Sequence, residues 1–160
     1  MLPIPLTEKY LEAAVKMVDE VFPQDLDAIW NPEKSLPLSL RPQSELKQDV
    51  FVDYWIVLND NDEIIGVTGM YRLKEDPEDV VWLGWYCIRA DQRGRGLGRE
   101  LLNWTIDKAK ERGFKKMKLY TSTDPNEAAA QILYDKLDFK IIGEDEGDGI
   151  HKTLYRQKLL

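Results

Sequence analysis

The chain has 160 residues, a formal net charge of −7 and a single cysteine, Cys87. This length predicts one folded domain over 1–160, and one cysteine excludes an internal disulfide and fits a reducing, cytoplasmic compartment. The absence of an 18-residue apolar run argues against a membrane partner, and the acidic balance argues against nucleic acid. The sequence contains one histidine and one cysteine, which are too few for a usual zinc site, so we predict that the protein holds no metal.

The first half of the chain predicts one helix, an irregular segment and two strands. Residues 7–22 carry an apolar stripe at helical spacing, and Pro23 ends the pattern. Residues 23–50 mix prolines with scattered charges, which predicts irregular structure and leaves a short second helix open. Two strands are predicted at Tyr54–Leu58 and Ile64–Tyr71, joined by a polar turn.

The second half predicts alternating strands and helices. Val80 to Ile88 reads as one strand, and residues 97–112 read as an amphipathic helix capped by Gly113. The remaining predicted elements are a strand at Lys116–Thr121, a helix from Asp124 to about Lys136 that opens with a capping box closed by Glu127, and a hairpin of Phe139–Ile142 with Ile150–Tyr155. These elements predict an α+β fold with a mostly antiparallel sheet.

A glycine-rich turn lies between the strand that ends at Ile88 and the helix that begins at Leu97. Its glycines, Gly94, Gly96 and Gly98, alternate with other residues and leave backbone N–H groups unshielded next to a helix N-terminus. Such a turn binds anions, most often phosphate. The spelling excludes a dinucleotide fingerprint, whose third glycine would come one residue later, and a triphosphate loop, which needs Gly-Lys-Ser/Thr.

This turn resembles the acyl-CoA loop of the GNAT acetyltransferase superfamily, written Gln/Arg-x-x-Gly-x-Gly/Ala. Arg93, Gly96 and Gly98 fill the pattern, and the order of elements resembles the GNAT fold over most of the chain. The resemblance implies a mixed, mostly antiparallel central sheet flanked by helices. It also implies that acetyl-CoA is the co-substrate and that backbone amides of the turn hold its pyrophosphate. The residues assigned to acetyl-CoA in this way are Arg93, Gly94, Arg95, Gly96, Leu97 and Gly98, together with backbone N–H groups near Cys87 and Ile88 that face the thioester carbonyl.

A second resemblance supplies a catalytic residue. The segment Ile132 to Phe139 is similar to the family signature Leu/Phe-Tyr-Glu-Lys-x-Gly-Phe, which implies that Tyr134 hydrogen-bonds the CoA sulfur and donates its proton as the thiolate leaves. A phenol with a pKa near 10 stays protonated at neutral pH and can act in this way. The chain departs from the family at Asp138, where glycine is usual, and at Glu127, where asparagine is usual. Asn126, one residue earlier, is the candidate for that CoA contact.

A general base is harder to find in the sequence. An alkyl ammonium is neutral in about one molecule in 10³ at pH 7, a penalty of roughly 4–5 kcal/mol unless a base helps. The candidates, each of which also fits a solvated surface carboxylate, are Asp25, Asp27, Glu75, Asp76, Glu78 and Asp79. Cys87 is expected to be a core residue, because nucleophilic catalysis needs a base beside it and His151 lies in the terminal hairpin.

Core packing is the favoured interpretation for most of the tryptophans, and some of them are also candidates for the wall of the acceptor pocket. Strand alternation predicts that Trp82 and Trp85 lie on opposite faces of the sheet, and Trp30 stands where the family builds its acceptor wall.

The resemblance therefore predicts an N-acetyltransferase that transfers acetyl from acetyl-CoA to a primary amine of a small molecule by direct attack in a ternary complex. A protein N-terminus or lysine is the alternative acceptor. A GNAT-like module that binds acyl-CoA without catalysis is the alternative from a different class. A homodimer is left open.

Overall fold

The computed structural model describes residues 1–23 and 31–160. Its helices are α1 (Glu8–Val21), α2 (Pro32–Ser35), α3 (Leu97–Glu111) and α4 (Ala128–Lys136). Its strands are β1 (Ile4–Pro5), β2 (Asp49–Leu58), β3 (Ile64–Leu73), β4 (Val80–Leu83), β5 (Cys87–Ile88), β6 (Lys116–Ser122), β7 (Lys140–Asp145) and β8 (Thr153–Leu159). Within these ranges no helix combines the length and the hydropathy that a membrane crossing requires.

The strands form one sheet in the order β1-β2-β3-β4-β6-β8-β7, and β5 pairs with β3 beside that path. Among the strands of the described residues, only β4 and β6 run parallel, with Val80 opposite Lys116 and Trp82 opposite Lys118. All other pairs are antiparallel. The predicted α+β fold with a mixed, mostly antiparallel sheet flanked by helices is therefore confirmed.

The sheet separates two apolar layers. Tyr54 and Ile56 of β2 pack with Ala14, Met17 and Val18 of α1 on one face. The intervening Trp55 belongs to the cluster that contains Leu102 and Ile106 of α3 and Tyr134 of α4. Because side chains alternate along a strand, α1 covers one face of the sheet, and α3 and α4 cover the other. We call these the α1 face and the α3/α4 face.

Local patterns predicted the long helices and the terminal hairpin correctly. The amphipathic stripes of 7–22 and 97–112 correspond to α1 and α3, and Gly113 caps α3 with a positive φ of 86°. Asp138, which replaces the family glycine, also adopts the left-handed conformation, with a φ of 62°. Asp tolerates this conformation better than most residues because its short polar side chain can bond locally.

The prediction of one strand over 80–88 is wrong, because the chain breaks into β4 and β5 at Gly84. A Cβ on Gly84 would lie 2.8 Å from the Tyr54 hydroxyl oxygen, so the Tyr54 ring occupies the space that a side chain would need. The Trp85 N–H donates to the same hydroxyl oxygen at 3.4 Å instead of continuing the ladder. This break positions the candidate site.

The predicted capping box at the start of the last helix is also wrong. Asp124 caps a 3-10 turn, Pro125–Glu127, by accepting a hydrogen bond from the Asn126 N–H at 2.8 Å. The Glu127 carboxylate does not fold back onto this cap. It accepts hydrogen bonds from the N–H and hydroxyl of Ser122 and from the Thr121 hydroxyl, and so ties the start of α4 to the end of β6.

Candidate active site

The sheet opens into a wedge beyond the break in the fourth strand. The ladder between β4 and β6 ends at Trp82 and Lys118. Beyond that point, in the part of the chain that the structure describes, β5 pairs with β3 alone and β6 pairs with β8 alone. Because β4 and β6 are parallel, their diverging carboxyl ends leave two strand edges facing one opening, and unpaired edges carry free N–H and C=O groups.

The backbone of Ile88 faces this opening. The backbone N–H of Arg89 donates to the Ile65 carbonyl at 2.9 Å and is therefore directed toward β3. Hydrogen-bonding direction alternates along an antiparallel strand, which turns the N–H and C=O of Ile88 away from β3 and those of Cys87 toward Val67. The Ile88 carbonyl accepts a hydrogen bond from Arg93 Nε at 3.0 Å. Of the two predicted backbone donors, Ile88 is therefore the one directed at the opening.

The glycine turn leads from this strand into α3. Gly94 and Gly96 have positive φ angles of 77° and 82°, and a Cβ on either would meet no atom within 4 Å. The turn therefore presents bare backbone to open space directly before the N-terminus of a 15-residue helix. This arrangement fits an anion such as a pyrophosphate.

Arginines around the turn divide into two groups. Arg89 is bound by Asp91 at 2.7 Å and lies 3.6 Å from Glu63, so its charge is compensated within the protein. Arg95 and Arg99 are exposed, and Arg95 contacts Gln92 through Nη1 at 3.2 Å. Arg93, Arg95 and Arg99 are exposed cations available to a phosphate that extends beyond the glycines.

Tyr86 connects the glycine turn to the catalytic candidate. Its hydroxyl donates to the Gly98 carbonyl at 2.6 Å, and a Cβ on Gly98 would lie 3.0 Å from the Tyr86 hydroxyl oxygen. Its ring packs against the cluster that holds Tyr134 and Leu119. Tyr86 at the strand break and Leu119 on β6 flank the wedge, so Tyr134 lies beside it on the α3/α4 face.

Tyr134 is 6% exposed and meets Phe139 edge to face, with the ring centroids 5.8 Å apart. Burial raises the pKa of its phenol well above the ordinary value, and the neighbouring Tyr86 raises it further, while the Arg156 guanidinium lowers it. Among the described residues none shares a hydrogen bond with the Tyr134 hydroxyl. Tyr134 is thus a protonated phenol whose proton is not engaged elsewhere in the described structure, as an acid requires.

The α1 face beside the wedge is aromatic. Trp82 stacks on Tyr71 with centroids 6.2 Å apart, and Trp85 packs on Phe22 at 5.5 Å. Trp85 Nε1 donates to the Ser35 hydroxyl at 2.7 Å. Both tryptophans lie on the α1 face, so the prediction of opposite faces is wrong, because the break at Gly84 shifts the alternation. Trp30 lies outside the described residues.

Among the predicted bases, Asp76 is held in a defined orientation. Its Oδ2 accepts hydrogen bonds from the Leu73 N–H and from Trp82 Nε1, both at 3.0 Å. Glu75 and Glu78 are exposed and Asp79 is half-buried. Asp25 and Asp27 lie outside the described residues. Asp76 is therefore the candidate that contacts an aromatic residue of the α1 face.

Asp49 is a carboxylate that sequence reasoning missed. It is 4% exposed, and its Oδ1 is buried without a hydrogen-bond partner in the described structure. Burial raises the pKa of the Asp49 carboxyl above its ordinary value, Lys74 opposes this rise and Glu75 adds to it. Asp49 in turn raises the pKa of Tyr54 and Tyr71, so it lies near the phenols of the α1 face. An acidic residue at the start of a strand pattern carries no signal of such burial.

Asp49→Asn is expected to raise the free energy of unfolding at pH 7 by about 1 kcal/mol, because a neutral amide avoids the cost of burying a charge. The pKa of the Asp49 carboxyl is raised in the folded state. The free-energy cost of its buried charge is therefore fully present above the folded-state pKa, and it vanishes below the unfolded-state pKa of about 4. Thermal unfolding of both proteins at pH 7 and at low pH measures this, and the difference should shrink at low pH. Asp60→Asn, at an exposed turn, is the control that should change neither value. A lower melting temperature for Asp49→Asn at pH 7 would contradict the expectation.

Cys87 and His151 lie in different parts of the molecule. Cys87 is buried in β5, and burial raises the pKa of its thiol to about 12. His151 lies 3.4 Å from Asp148 and 3.8 Å from Asp124. Asn126 is exposed on the turn before α4. Within residues 1–23 and 31–160 no three His, Cys, Asp or Glu side chains form a cluster that could hold a metal ion.

Comparison with known proteins agrees with the fold. Residues 19–139 match the model of the acetyltransferase (GNAT) family. The L-2,4-diaminobutyric acid acetyltransferase of Shouchella clausii (strain KSM-K16) is 30% identical over 119 residues, which span 71% of this chain and 64% of that relative. Two solved structures have the same fold with a TM-score of 0.74. One is an aminoglycoside 6'-N-acetyltransferase complexed with coenzyme A, at 14% identity and covering 99% of this chain and 97% of that one. The other is a ribosomal-protein-alanine N-acetyltransferase from Brucella melitensis, at 21% identity and covering all of both chains. With a glycine turn, a splayed sheet and a family match that covers most of its length, the chain belongs to the GNAT family of acetyltransferases.

Proposed function

We propose that this protein transfers the acetyl group of acetyl-CoA to a primary amine of a small molecule by direct attack in a ternary complex. The observation that carries the proposal is the wedge between β5 and β6, beside which the Ile88 backbone, the glycine turn and the buried ring of Tyr134 lie. These groups match three of the needs of the reaction: an oxyanion donor, an anchor for the donor molecule and an acid for the leaving group.

Each group has a distinct task in the proposed reaction. Acetyl-CoA supplies an activated carbonyl and a thiolate leaving group. The bare amides of Gly94 and Gly96 bind its pyrophosphate at the start of α3. The amine nitrogen attacks the carbonyl carbon, and the Ile88 N–H donates to the carbonyl oxygen as negative charge develops there. Tyr134 gives its proton to the sulfur as the carbon–sulfur bond breaks. The proton that the nitrogen loses as the carbon–nitrogen bond forms passes to water, and the Tyr134 phenolate takes a proton back from water.

The α1 face favours a small acceptor. Leu36, which follows α2, is fully buried in the cluster of the α1 face, and Trp85 donates to Ser35, so this part of the irregular segment lies against the aromatic side chains beside the wedge. The Shouchella relative is named for a small diamine acid. Of the two structural neighbours, one is named for a small-molecule acceptor and the other for a protein acceptor. Both match the fold of this chain with the same TM-score, so the fold does not distinguish between the two kinds of acceptor.

Calorimetric titration with acetyl-CoA, desulfo-CoA and NADH tests the donor, and acetylation of an amine library tests the acceptor. We expect both CoA ligands to bind and NADH not to bind. Acetylation of small amines in preference to peptides is the expected result for the acceptor. Preference for peptides would favour the protein acceptor, and CoA binding without turnover would favour a non-catalytic module. No binding of either CoA ligand would contradict the proposal.

Gly96→Ala is expected to weaken acetyl-CoA binding at least about tenfold. A side chain at a φ of 82° costs about 1–2 kcal/mol, and relief of that strain would turn the N–H groups away from the pyrophosphate. Gly113→Ala is the matched control, since Gly113 has a φ of 86° and equally open surroundings but lies beyond the far end of α3. Both variants should lose similar stability, and only Gly96→Ala should raise the Kd for acetyl-CoA. Equal Kd values for acetyl-CoA in the two variants would show that the glycine turn does not belong to the binding site.

A further inference from the structure

Arg156 is a buried arginine in β8 that sequence reasoning did not single out. It pairs with Leu119 of β6 and Ile141 of β7, and its side chain is 4% exposed. Leu119 belongs to the cluster on the α3/α4 face, and residues directly opposite on neighbouring strands share a face. The guanidinium of Arg156 is therefore directed at α4, the helix that carries Tyr134.

The guanidinium contacts α4 and its C-terminal end at three points. Nε and Nη2 donate to Gln131 Oε1 at 2.9 and 2.7 Å. Nη1 donates to Asp135 Oδ1 at 2.7 Å and to the Phe139 carbonyl at 2.8 Å. Gln131 and Asp135 are four residues apart and so lie on one side of the helix, and Phe139 follows its C-terminal end. The guanidinium carbon lies 5.9 Å from the centre of the Tyr134 ring.

The same contacts reach the edge of the wedge. Gln131 Nε2 donates to the Ser122 carbonyl at 2.8 Å and to the Thr121 hydroxyl at 3.1 Å, at the end of β6. Gln131 thus joins Arg156 to the strand that forms one side of the opening. A planar guanidinium with several donors sets the rotation of a short helix, and a lysine ammonium at a single point does so less well.

We propose that Arg156 is a positioning residue for acetyl transfer, which holds α4 at the rotation that presents the Tyr134 hydroxyl to the wedge. This inference rests on the proposed role of Tyr134 as acid. A displacement of about 1 Å in a reacting group costs up to about 10²-fold in rate, so the contribution of Arg156 to kcat exceeds its contribution to binding of acetyl-CoA.

A double-mutant cycle with Arg156→Met and Tyr134→Phe tests the inference. Arg156→Met is expected to lower kcat by about 10-fold to 10²-fold, with little change in KM for acetyl-CoA and little further loss in the Tyr134→Phe background. Arg156→Lys should keep the fold and lose less activity. Hydrogen exchange of α4 should increase in Arg156→Met, at sites that remain protected in Arg112→Met.

Arg112→Met is the matched control. Arg112 also combines an ion pair, with Asp53 at 2.6 Å, and ring contacts, with Phe51 and Trp55 at 5.4 and 5.3 Å, but it lies at the end of α3. It should lose stability without losing kcat per folded molecule. Effects of Arg156→Met and Tyr134→Phe that multiply fully would overturn the positioning role and leave the acid role intact. A wild-type rate for Tyr134→Phe alone would overturn the acid role, and the inference would fall with it.

Discussion

Tyr134→Phe is expected to lower kcat for acetyl transfer by about 10²-fold to 10³-fold while the Kd for acetyl-CoA stays within about twofold. The change removes one hydroxyl from a ring that is otherwise buried between α4 and the sheet. Since no described residue bonds that hydroxyl, its loss should not lower the melting temperature. Stopped assays of product formation and calorimetry on the same samples would measure the rate and the affinity separately.

The pH profile provides a second measurement of the same role. Burial raises the pKa of Tyr134, so the phenol should stay protonated and kcat should not fall up to about pH 10 through its ionisation. Tyr10→Phe is the control, because the Tyr10 hydroxyl on α1 donates to Asp62 on the surface and has no assigned part in the reaction. A parallel loss of affinity and rate in Tyr134→Phe would mean that Tyr134 binds acetyl-CoA rather than acting as the acid.

Local patterns were sufficient where an element depends on its own residues. The stripe over 97–112 and the cap at Gly113 predicted α3 correctly. The anion-binding role of the turn at 92–98, and the acid role that the family resemblance implies for Tyr134, stay predictions. None of these predictions required knowledge of what packs against the segment, since periodicity and backbone freedom are properties of the segment itself.

Sequence reasoning failed where distant residues decide the structure. The break at Gly84 depends on Tyr54, whose hydroxyl accepts the Trp85 N–H across 31 positions of sequence. Glu127 satisfies the capping-box pattern but bonds Ser122 instead, because the end of β6 lies within reach of its carboxylate. Arg156 reads as one charge in a terminal strand, and its partners on α4 become visible only when β8 lies beside β6. The direction of the Ile88 N–H likewise follows from register, which no single strand specifies.

The largest expected effect on stability comes from Gly69. A Cβ built on Gly69 would overlap Cδ1 and Cε1 of the Tyr54 ring, which lies flat over this position of β3. Tyr54 is 5% exposed and belongs to the buried cluster of the α1 face. Gly69→Ala is therefore expected to lower the free energy of unfolding by about 2–3 kcal/mol, which thermal or denaturant unfolding would measure. Gly143→Ala in β7 is the control, since its Cβ would meet only Tyr155, at an ordinary 3.9 Å.

The partner of this clash can be identified by removing the ring. In a Tyr54→Leu background, Gly69→Ala should cost little more than the Gly143 control, because the leucine leaves the space over Gly69 open. Displacement of the Tyr54 ring in Gly69→Ala should also reduce kcat. The reason is that the Tyr54 hydroxyl occupies the space at Gly84 and accepts the Trp85 N–H where β4 ends. An equal cost of Gly69→Ala in both backgrounds would show that Tyr54 is not the obstacle. A normal kcat in a destabilised but folded Gly69→Ala protein would show that the position of Tyr54 at the strand break does not determine the geometry of the wedge.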